Sequence, residues 1–335
     1  MEQSADSPHS FRDRVAAVER APTAAAGLAL GIASLGGCWE HLAHSGGLLA
    51  ALGAALASPL LLLLALKFAL SPRSLWDDLA HQVVGSVVPT FAMALMVVSK
   101  PLCLVALWLG HGLWGLAVMI HLSFFAAFSF HRARDFRLEH MIPSWFVPPI
   151  GIIVADVTFP GETFLSISAL ALYFGVAIYA VMLPLMLYRL IFMPPIPEAA
   201  KPTIAILAAP ASLALAGYLS FERAPDPLVV GLLGGIAVLM TVTIYVAFVH
   251  LLRLPFSPAF AAFTFPMVIS AQAMFALSAW LRASSASSVH VATIHGIAQF
   301  ELWVATLVVG YVVVRYWHHY AASVVPLHRR VDRGA

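Results

Sequence analysis

The first candidates for chemistry are four ionisable residues inside otherwise apolar stretches: His111, His121, His295 and Glu301. Histidines could ligate a haem or a metal ion, and a carboxyl group could relay protons. On a helix, however, the ten positions between His111 and His121 leave them about 80° apart. We therefore favour interhelical hydrogen bonding for the histidines and a structural, protonated state for Glu301. We expect no cofactor, no metal site and no enzymatic activity.

Residues that break helices recur along the chain at a nearly constant spacing. Gly31, Pro89, Pro148 with Pro149, Pro210 and Pro266 follow one another at intervals of 58, 59, 62 and 56 residues. Proline removes a backbone donor and leaves an earlier carbonyl unpaired, which lipid tolerates only where protein or water satisfies that carbonyl. This pattern predicts that the broken segments line a common space. The alternative is that proline and glycine are simply frequent in membrane helices.

The segments that carry these residues are long and apolar. Of the 335 residues, 61% are hydrophobic and only 10% are charged, which is far below the roughly 25% of soluble domains. Apolar runs of about 20 residues match a hydrocarbon core of about 30 Å. We predict ten transmembrane helices at approximately 23–41, 48–66, 81–98, 102–122, 141–159, 164–189, 202–221, 227–251, 257–281 and 295–317.

Each predicted break falls on an odd-numbered span, about eight residues from its start and close to the bilayer midplane. All odd-numbered spans run in the same direction, because each is followed by one even-numbered span. The predicted fold is therefore an all-α integral membrane protein of five helical hairpins in a quasi-fivefold ring around a central pore. Odd-numbered helices would line the pore, and even-numbered helices would face lipid. Residues 1–22, 23–317 and 318–335 would form a cytoplasmic N-terminal segment, the channel domain and a cytoplasmic tail.

The distribution of positive charge predicts the orientation. With cytoplasmic termini, 15 of the 18 Lys and Arg residues lie in cytoplasmic segments, and three lie outside: Lys100, Arg223 and Arg282. Such an excess follows the positive-inside rule. We expect a multi-pass protein of the cell (inner) membrane, with a basic cytoplasmic loop from Arg132 to Arg137. Because the charge serves topology, we expect membrane lipid and no nucleic acid as a partner.

The middle of the odd-numbered spans contains no Lys, Arg, Asp or Glu. Intramembrane ionisable groups usually mark proton relays and tight ion sites. Their absence argues against proton coupling through the pore, and against firm binding of a dicarboxylate, which would recruit arginine. A pore with apolar walls and the partly positive ends of broken helices favours weakly bound anions.

Two stretches resemble a known family. They are PSWFVPPIGIIV, from Pro143 to Val154, and FTFPMVIS, from Phe263 to Ser270. Both are similar to the tellurite-resistance and dicarboxylate transporter family, which includes bacterial tellurite-resistance protein A and the slow anion channels of plant guard cells. The similarity covers nearly the whole chain. It implies five hairpins around a pore, assembly as a homotrimer of separate pores, and conduction of inorganic anions.

The resemblance also implies a gate. In the family a phenylalanine of the ninth helix blocks the pore, and the motif places it at Phe265, directly before Pro266. Phe263 is the alternative, because Ala261 and Ala262 stand where many members carry a tryptophan. By analogy, pore-lining positions would cluster around four residues: Gly31, Pro89, Pro149 and Pro210.

These observations lead to one preferred function and two alternatives. We expect an anion channel that passively conducts small monovalent anions, such as nitrate and chloride, through a pore gated by Phe265. The first alternative is a proton-coupled transporter of carboxylate, sulfite or a tellurite-related anion, since the family includes such carriers. The second alternative is a membrane-bound redox enzyme, which would need the haem or metal site considered above.

Overall fold

The computed structural model describes residues 18–324 and the side chains of residues 18–320. This part of the chain is helical and contains no β-strand. Most of the predicted N-terminal segment and C-terminal tail, including Arg12, Arg14, Arg329, Arg330 and Arg333, lies outside the described residues. The helices are α1 (Ala25–Ala43), α2 (Leu48–Leu70), α3 (Pro72–Ala80), α4 (Thr90–Val105), α5 (Leu107–Arg134), α6 (Pro143–Val157), α7 (Leu165–Phe192), α8 (Ala209–Phe221), α9 (Pro227–Leu251), α10 (Thr264–Ala283) and α11 (Ser288–Val324).

Within residues 18–324, eight helical segments are long and apolar enough to cross a membrane. They contain α2, α4, α5, α7, α8, α9, α10 and α11. The chain is therefore a multi-pass membrane protein. The remaining two predicted spans correspond to α1, which has 19 residues and carries Glu40 and His41 near its end, and to the shorter α6. The count of ten spans stays a prediction.

The long helices fall into two groups by burial. In the segments that contain α8 and α10, 72% and 78% of the most apolar stretch is buried, against 28% in α2 and 33% in α9. Every residue of α6 from Pro143 to Asp156 is buried. We call α1, α4, α6, α8 and α10 the inner helices, and α2, α5, α7, α9 and α11 the outer helices. Each outer helix packs against the inner helix that precedes it in the chain.

Four of the five inner helices change their geometry at the predicted prolines. A short helical turn at Val84–Val87 ends before Pro89, and 3₁₀ turns alternate with α-helical turns around Pro148 and Pro149. A 3₁₀ helix at Glu198–Ala208 precedes α8, whose second residue is Pro210. Another, Pro258–Phe263, precedes α10. Proline is favoured in the first turn of a helix, where no backbone donor is needed.

Gly31 does not break its helix, and in this respect the predicted periodicity was wrong. Helix α1 runs without interruption from Ala25 to Ala43. A Cβ atom added at Gly31 would lie 2.5 Å from Thr264 Cβ, so this glycine allows α1 to approach α10 closely. The sequence pattern could not separate the two roles, because glycine serves both flexible backbone and close packing.

The segment from Arg132 to Arg137, which was predicted to be a loop, is partly helical in the structure. Helix α5 continues to Arg134, so that Arg132 and Arg134 lie in its last turn. Arg132 donates a hydrogen bond to the carbonyl of Ala80, and Arg134 lies 4.0 Å above the ring of Phe130. These contacts stabilise the additional turns, since arginine can lay its apolar stem along a helix and place its charge near a helix end.

Candidate functional site

Phe265 is the second residue of α10, just after the 3₁₀ helix gives way to the α-helix. Its side chain is 7% exposed. This small exposed area faces two separate cavities, because Phe265 contributes to the lining of both. The cavities lie at opposite ends of the inner helices.

The first cavity, which we call the Lys67 cavity, has a volume of about 530 Å³. It lies where the inner helices begin. Every inner helix contributes apolar side chains to its wall, among them Leu30, Met93, Ile150, Leu213 and Phe265. Its ionisable lining residues lie near the starts of the helices and at the end of α2; they are Glu19, Arg20, Lys67, Asp78 and His81.

The second cavity, which we call the Lys100 cavity, has a volume of about 420 Å³ and lies where the inner helices end. Ala33, Val97, Val154, Leu213 and Phe265 again represent the five inner helices in its wall. Leu213 and Phe265 line both cavities, so these two side chains lie between them. Its ionisable lining residues are Glu40, His41, His44 and Lys100.

The other residues predicted for the site occupy different positions. Pro210 and Pro266 line the Lys67 cavity. Gly31, Pro89 and Pro149 are buried and do not contribute to the lining of either cavity. Their part in a pore wall stays a prediction.

Phe263, the alternative gate residue, is fully buried. Its ring lies 5.4 Å from that of Phe248 in α9 and 4.8 Å from that of Phe260. It contributes to neither cavity, because its side chain points away from the inner face of α10 toward an outer helix. The two phenylalanines therefore stand in different environments, although only Thr264 separates them.

Thr264 attaches the start of α10 to α1. Its hydroxyl oxygen lies 2.7 Å from the carbonyl oxygen of Ala261 and 3.0 Å from that of Gly27. Gly27 and Gly31, four residues apart, present the face of α1 that meets Ala261 and Thr264. The spacing of two small residues could have indicated from the sequence that this face of α1 packs closely, but not which helix it meets.

A network of hydroxyl groups holds α10 on its other side. Ser270 donates to the carbonyl of Pro266 at 2.9 Å, and its oxygen lies 2.9 Å from that of Thr241 in α9 and 3.3 Å from that of Ser212 in α8. All of these groups are buried. The segment that follows Phe265 is thus fastened to two neighbouring helices.

The interhelical hydrogen bond predicted for the histidines is present at His121, whereas His111 bonds to a loop carbonyl and His295 packs its ring against that of Phe275. His121 Nε2 of α5 lies 2.9 Å from the carbonyl oxygen of Pro148 in α6, and His111 Nε2 lies 3.2 Å from that of Pro160. His121 therefore binds a backbone carbonyl at the double-proline break. Within residues 18–324, no group of three or more His, Cys, Asp or Glu side chains is arranged to hold a metal ion.

A polar cluster at the Lys67 cavity was missed by the sequence analysis, which assigned Lys67 to topology alone. Lys67 Nζ donates to Thr23 Oγ1 and to the carbonyl of Ala21, both at 2.9 Å, and lies 3.5 Å from Asp78 Oδ2. Thr23 Oγ1 donates in turn to Asp78 at 2.6 Å. Thr23 lies 44 positions from Lys67 and 55 from Asp78 in the chain, so no local pattern links it to them.

The chain is similar to a known protein family and to two curated proteins. Residues 20–317 match a family described as voltage-dependent anion channel. An uncharacterized transporter of Methanocaldococcus jannaschii is 27% identical over 232 residues, which cover 62% of this chain and 68% of the relative. A second uncharacterized transporter of that organism is 25% identical over 215 residues, which cover 57% of this chain and 62% of the relative. The chain thus spans about two thirds of the length of these curated relatives.

Proposed function

The chain belongs to the voltage-dependent anion channel family, and on that premise we propose that it passively conducts small monovalent anions such as nitrate and chloride. Membership of the tellurite-resistance and dicarboxylate transporter family, to which the two motifs pointed, is confirmed. The observation that carries the proposal is the place of Phe265 between two cavities that lie at opposite ends of the inner helices. A movement of this one side chain would join the cavities into a pore.

The proposed architecture is a ring of five hairpins around this pore. In support, α1 packs against α4, α4 against α6, α6 against α8 and α8 against α10, and α10 in turn packs against α1. Five helices that contact one another in a closed cycle enclose a central space. On this proposal α1 and α6 also span the membrane, which brings the count to ten. The charge distribution supports cytoplasmic termini, so that the Lys67 cavity would open to the cytoplasm and the Lys100 cavity to the outside.

The chemistry of the walls suits conduction rather than tight binding. Apolar side chains form the middle of the passage, and the ionisable lining residues of both cavities lie toward their ends. An anion between Leu213 and Phe265 would meet no opposite charge, so it would have to lose water without full compensation. Weak binding permits rapid exit, and ions that dehydrate easily should pass best.

Phe265 would act as the gate by excluding water. Its ring closes the passage together with Leu213, and a narrow apolar constriction opposes ion entry because the ion cannot keep its hydration shell there. Opening would need a change of side-chain rotamer or a slight bend at Pro266, and both motions are thermally accessible. The side-chain hydroxyl contacts of Thr264 with α1 and of Ser270 with α8 and α9 would keep the helix in place during this motion.

Assembly and location follow from the family resemblance as further proposals. Many large apolar side chains of the outer helices are exposed, including Leu62 of α2, Leu170 of α7 and Leu228 of α9. Such surfaces suit contact with membrane lipid and with other copies in a homotrimer, each copy having its own pore. We place the protein in the cell (inner) membrane.

The second candidate is a proton-coupled carrier of carboxylate, sulfite or a tellurite-related anion. It is favoured by the names of the two relatives, which are transporters. The two candidates differ in their dependence on a proton gradient. We would measure currents of the purified protein in planar bilayers with equal pH on both sides, using a panel of anions. Anion current that scales with voltage supports the channel, whereas transport that needs a pH difference and saturates at low concentration supports the carrier.

A further inference from the structure

The two cavities differ in whether a nearby carboxylate balances the positive charge of their lysine. In the Lys67 cavity, the ammonium group of Lys67 has three partners: the Ala21 carbonyl, the Thr23 hydroxyl and the Asp78 carboxylate. Its side chain is only 7% exposed. Two N–H donors of the ammonium group are thus used in hydrogen bonds within the protein, and its charge is balanced by Asp78. This lysine has little left to offer an anion.

Lys100, in contrast, is exposed and has no ion-pair partner among the described residues. Its side chain is exposed at the wall of the Lys100 cavity. Among residues 18–320, the ion pairs are Lys67 with Asp78, Arg137 with Asp135 and Lys201 with Glu198, so Lys100 has no carboxylate partner within 4 Å. An ammonium group that faces a partly apolar cavity without a counter-ion favours the entry of an anion.

The one carboxylate in the described lining of this cavity is already engaged. Glu40 accepts hydrogen bonds from the backbone N–H groups of Ser45 at 3.0 Å and of Leu49 at 2.7 Å, and from the Ser45 hydroxyl at 2.6 Å. Leu49 lies in the first turn of α2, where the helix end carries a partial positive charge. The charge of Glu40 is therefore directed at a helix N-terminus rather than at Lys100.

Further donor groups line the same cavity as Lys100. His41 Nε2 and Gln272 Oε1 are 3.3 Å apart, which makes the histidine nitrogen the donor and leaves the amide N–H groups of Gln272 available. His41 also stacks on Phe275, with ring centroids 4.9 Å apart, and this contact fixes its position. Both side chains line the Lys100 cavity.

We propose that Lys100 and Gln272, whose amide His41 orients, form a capture site for small inorganic anions at this end of the passage. The inference rests on the proposed channel function and deepens it, because it assigns the site where anions gather before they reach Phe265. It also makes the passage asymmetric, since Asp78 neutralises Lys67 at the other end, and Arg20, the second cation of that lining, shares it with the carboxylate of Glu19. Anions that enter through the Lys100 cavity should be concentrated there, and anions that enter through the Lys67 cavity should not.

The first test uses conductance in a Phe265→Ala background, which removes the gate. Lys100→Gln should lower the conductance of anions that enter from the Lys100 end by about threefold at about 0.01 M salt, where the screening length is about 30 Å. At about 1 M salt, where that length is about 3 Å, the difference should disappear. Arg282→Gln is the matched control, because Arg282 is an exposed cation at the same end of the molecule that does not line the cavity. It should change little.

The second test does not depend on conduction. A cysteine introduced at Ala50, which lines the Lys100 cavity, would be modified by anionic and by cationic thiosulfonate reagents in a Cys103→Ser background. With Lys100 present, the anionic reagent should react faster relative to the cationic one, and Lys100→Gln should lower this ratio by about threefold at low salt.

The two tests separate the two proposals. If the Phe265→Ala protein carries no anion current but the reagent ratio depends on Lys100, the capture site stands and the channel function fails. If current flows but neither the low-salt conductance nor the reagent ratio responds to Lys100→Gln, the capture site is overturned and the channel remains. An equal effect of Arg282→Gln would also overturn it, because any nearby charge would then suffice.

Discussion

Gly31 of α1 packs against Thr264, the residue that immediately precedes Phe265. A Cβ atom at position 31 would lie 2.5 Å from Thr264 Cβ and 3.3 Å from the backbone nitrogen of Phe265. The Thr264 hydroxyl, 3.0 Å from the carbonyl oxygen of Gly27, adds a polar contact to the same interface. The backbone of the proposed gate is thus held by a helix that is more than 230 residues away in the chain.

This relationship leads to the first prediction. Gly31→Ala should destabilise the protein by about 1–3 kcal/mol, because the added methyl group would force α1 and α10 apart. Gly37→Ala in the same helix is the matched control: no atom lies within 4 Å of a Cβ atom there, and alanine favours the helix. Thermal unfolding of the purified protein in detergent measures both. Equal stability of the two variants would contradict the close packing.

The second prediction concerns the gate. Phe265→Ala should raise anion conductance strongly while folding and oligomerisation remain intact, because the ring that excludes water is removed. Phe265→Leu should give a smaller rise, since much of the obstruction remains. Currents of purified protein in planar bilayers measure the change.

Phe263→Ala is the control for the gate. It should not open the pore, because Phe263 contacts Phe248 and Phe260 and lines neither cavity. It should instead reduce stability by about 3–5 kcal/mol through the space left in the packing. An increase in current from Phe263→Ala, without one from Phe265→Ala, would place the gate at Phe263; no increase from either would refute a phenylalanine gate.

The third prediction is the order of permeant ions. Nitrate should pass more readily than chloride, and divalent carboxylates should pass poorly, because the apolar constriction returns little of the hydration energy that an ion loses. Reversal potentials under bi-ionic conditions in the Phe265→Ala protein give the order directly. A preference for malate over nitrate, with saturation below micromolar concentration, would indicate a carrier with a specific site.

The fourth prediction tests the Lys67 cluster. Asp78→Asn should lower the free energy of unfolding by about 1–3 kcal/mol, because the buried ammonium group of Lys67 would lose its counter-ion. Asp77→Asn is the matched control, since Asp77 is the neighbouring carboxylate on α3 and its side chain is exposed. Chemical or thermal unfolding of the three proteins provides the comparison. If Asp77→Asn lowers the free energy of unfolding as much as Asp78→Asn does, the cluster does not stabilise the fold.

The fifth prediction is the orientation in the membrane. In a Cys103→Ser background, cysteines at Gly46 and Ser287 should react with a membrane-impermeant reagent added to intact cells, and cysteines at Arg134 and Arg330 should not. The reason is the excess of Lys and Arg in the segments assigned to the cytoplasm. Labelling at Arg134 from outside would overturn the topology that places the Lys100 cavity on the external face.

Much of the helical framework could be predicted because it depends on properties of single segments. Pro210 and Pro266 lie in the first turns of α8 and α10, where a residue without an N–H group is favoured, and this preference requires no knowledge of the neighbours. The family motif also singles out Phe265, which lines both cavities, while its role as a gate stays a prediction. Helix ends were less predictable: α5 continues to Arg134 because that arginine stacks on Phe130, a contact that hydropathy does not report.

The amino-acid sequence by itself determined that this is a helical membrane protein, where its inner helices are disturbed and which family it belongs to, because apolar length, proline and motif are local features of the chain. Only the tertiary structure decided that Gly31 packs against Thr264 instead of breaking a helix. It also decided that Lys67 is neutralised by Asp78 while Lys100 has no such partner. The physical reason is that close packing, ion pairing and cavities arise where distant segments meet, and their energies depend on distances that no spacing along the chain encodes.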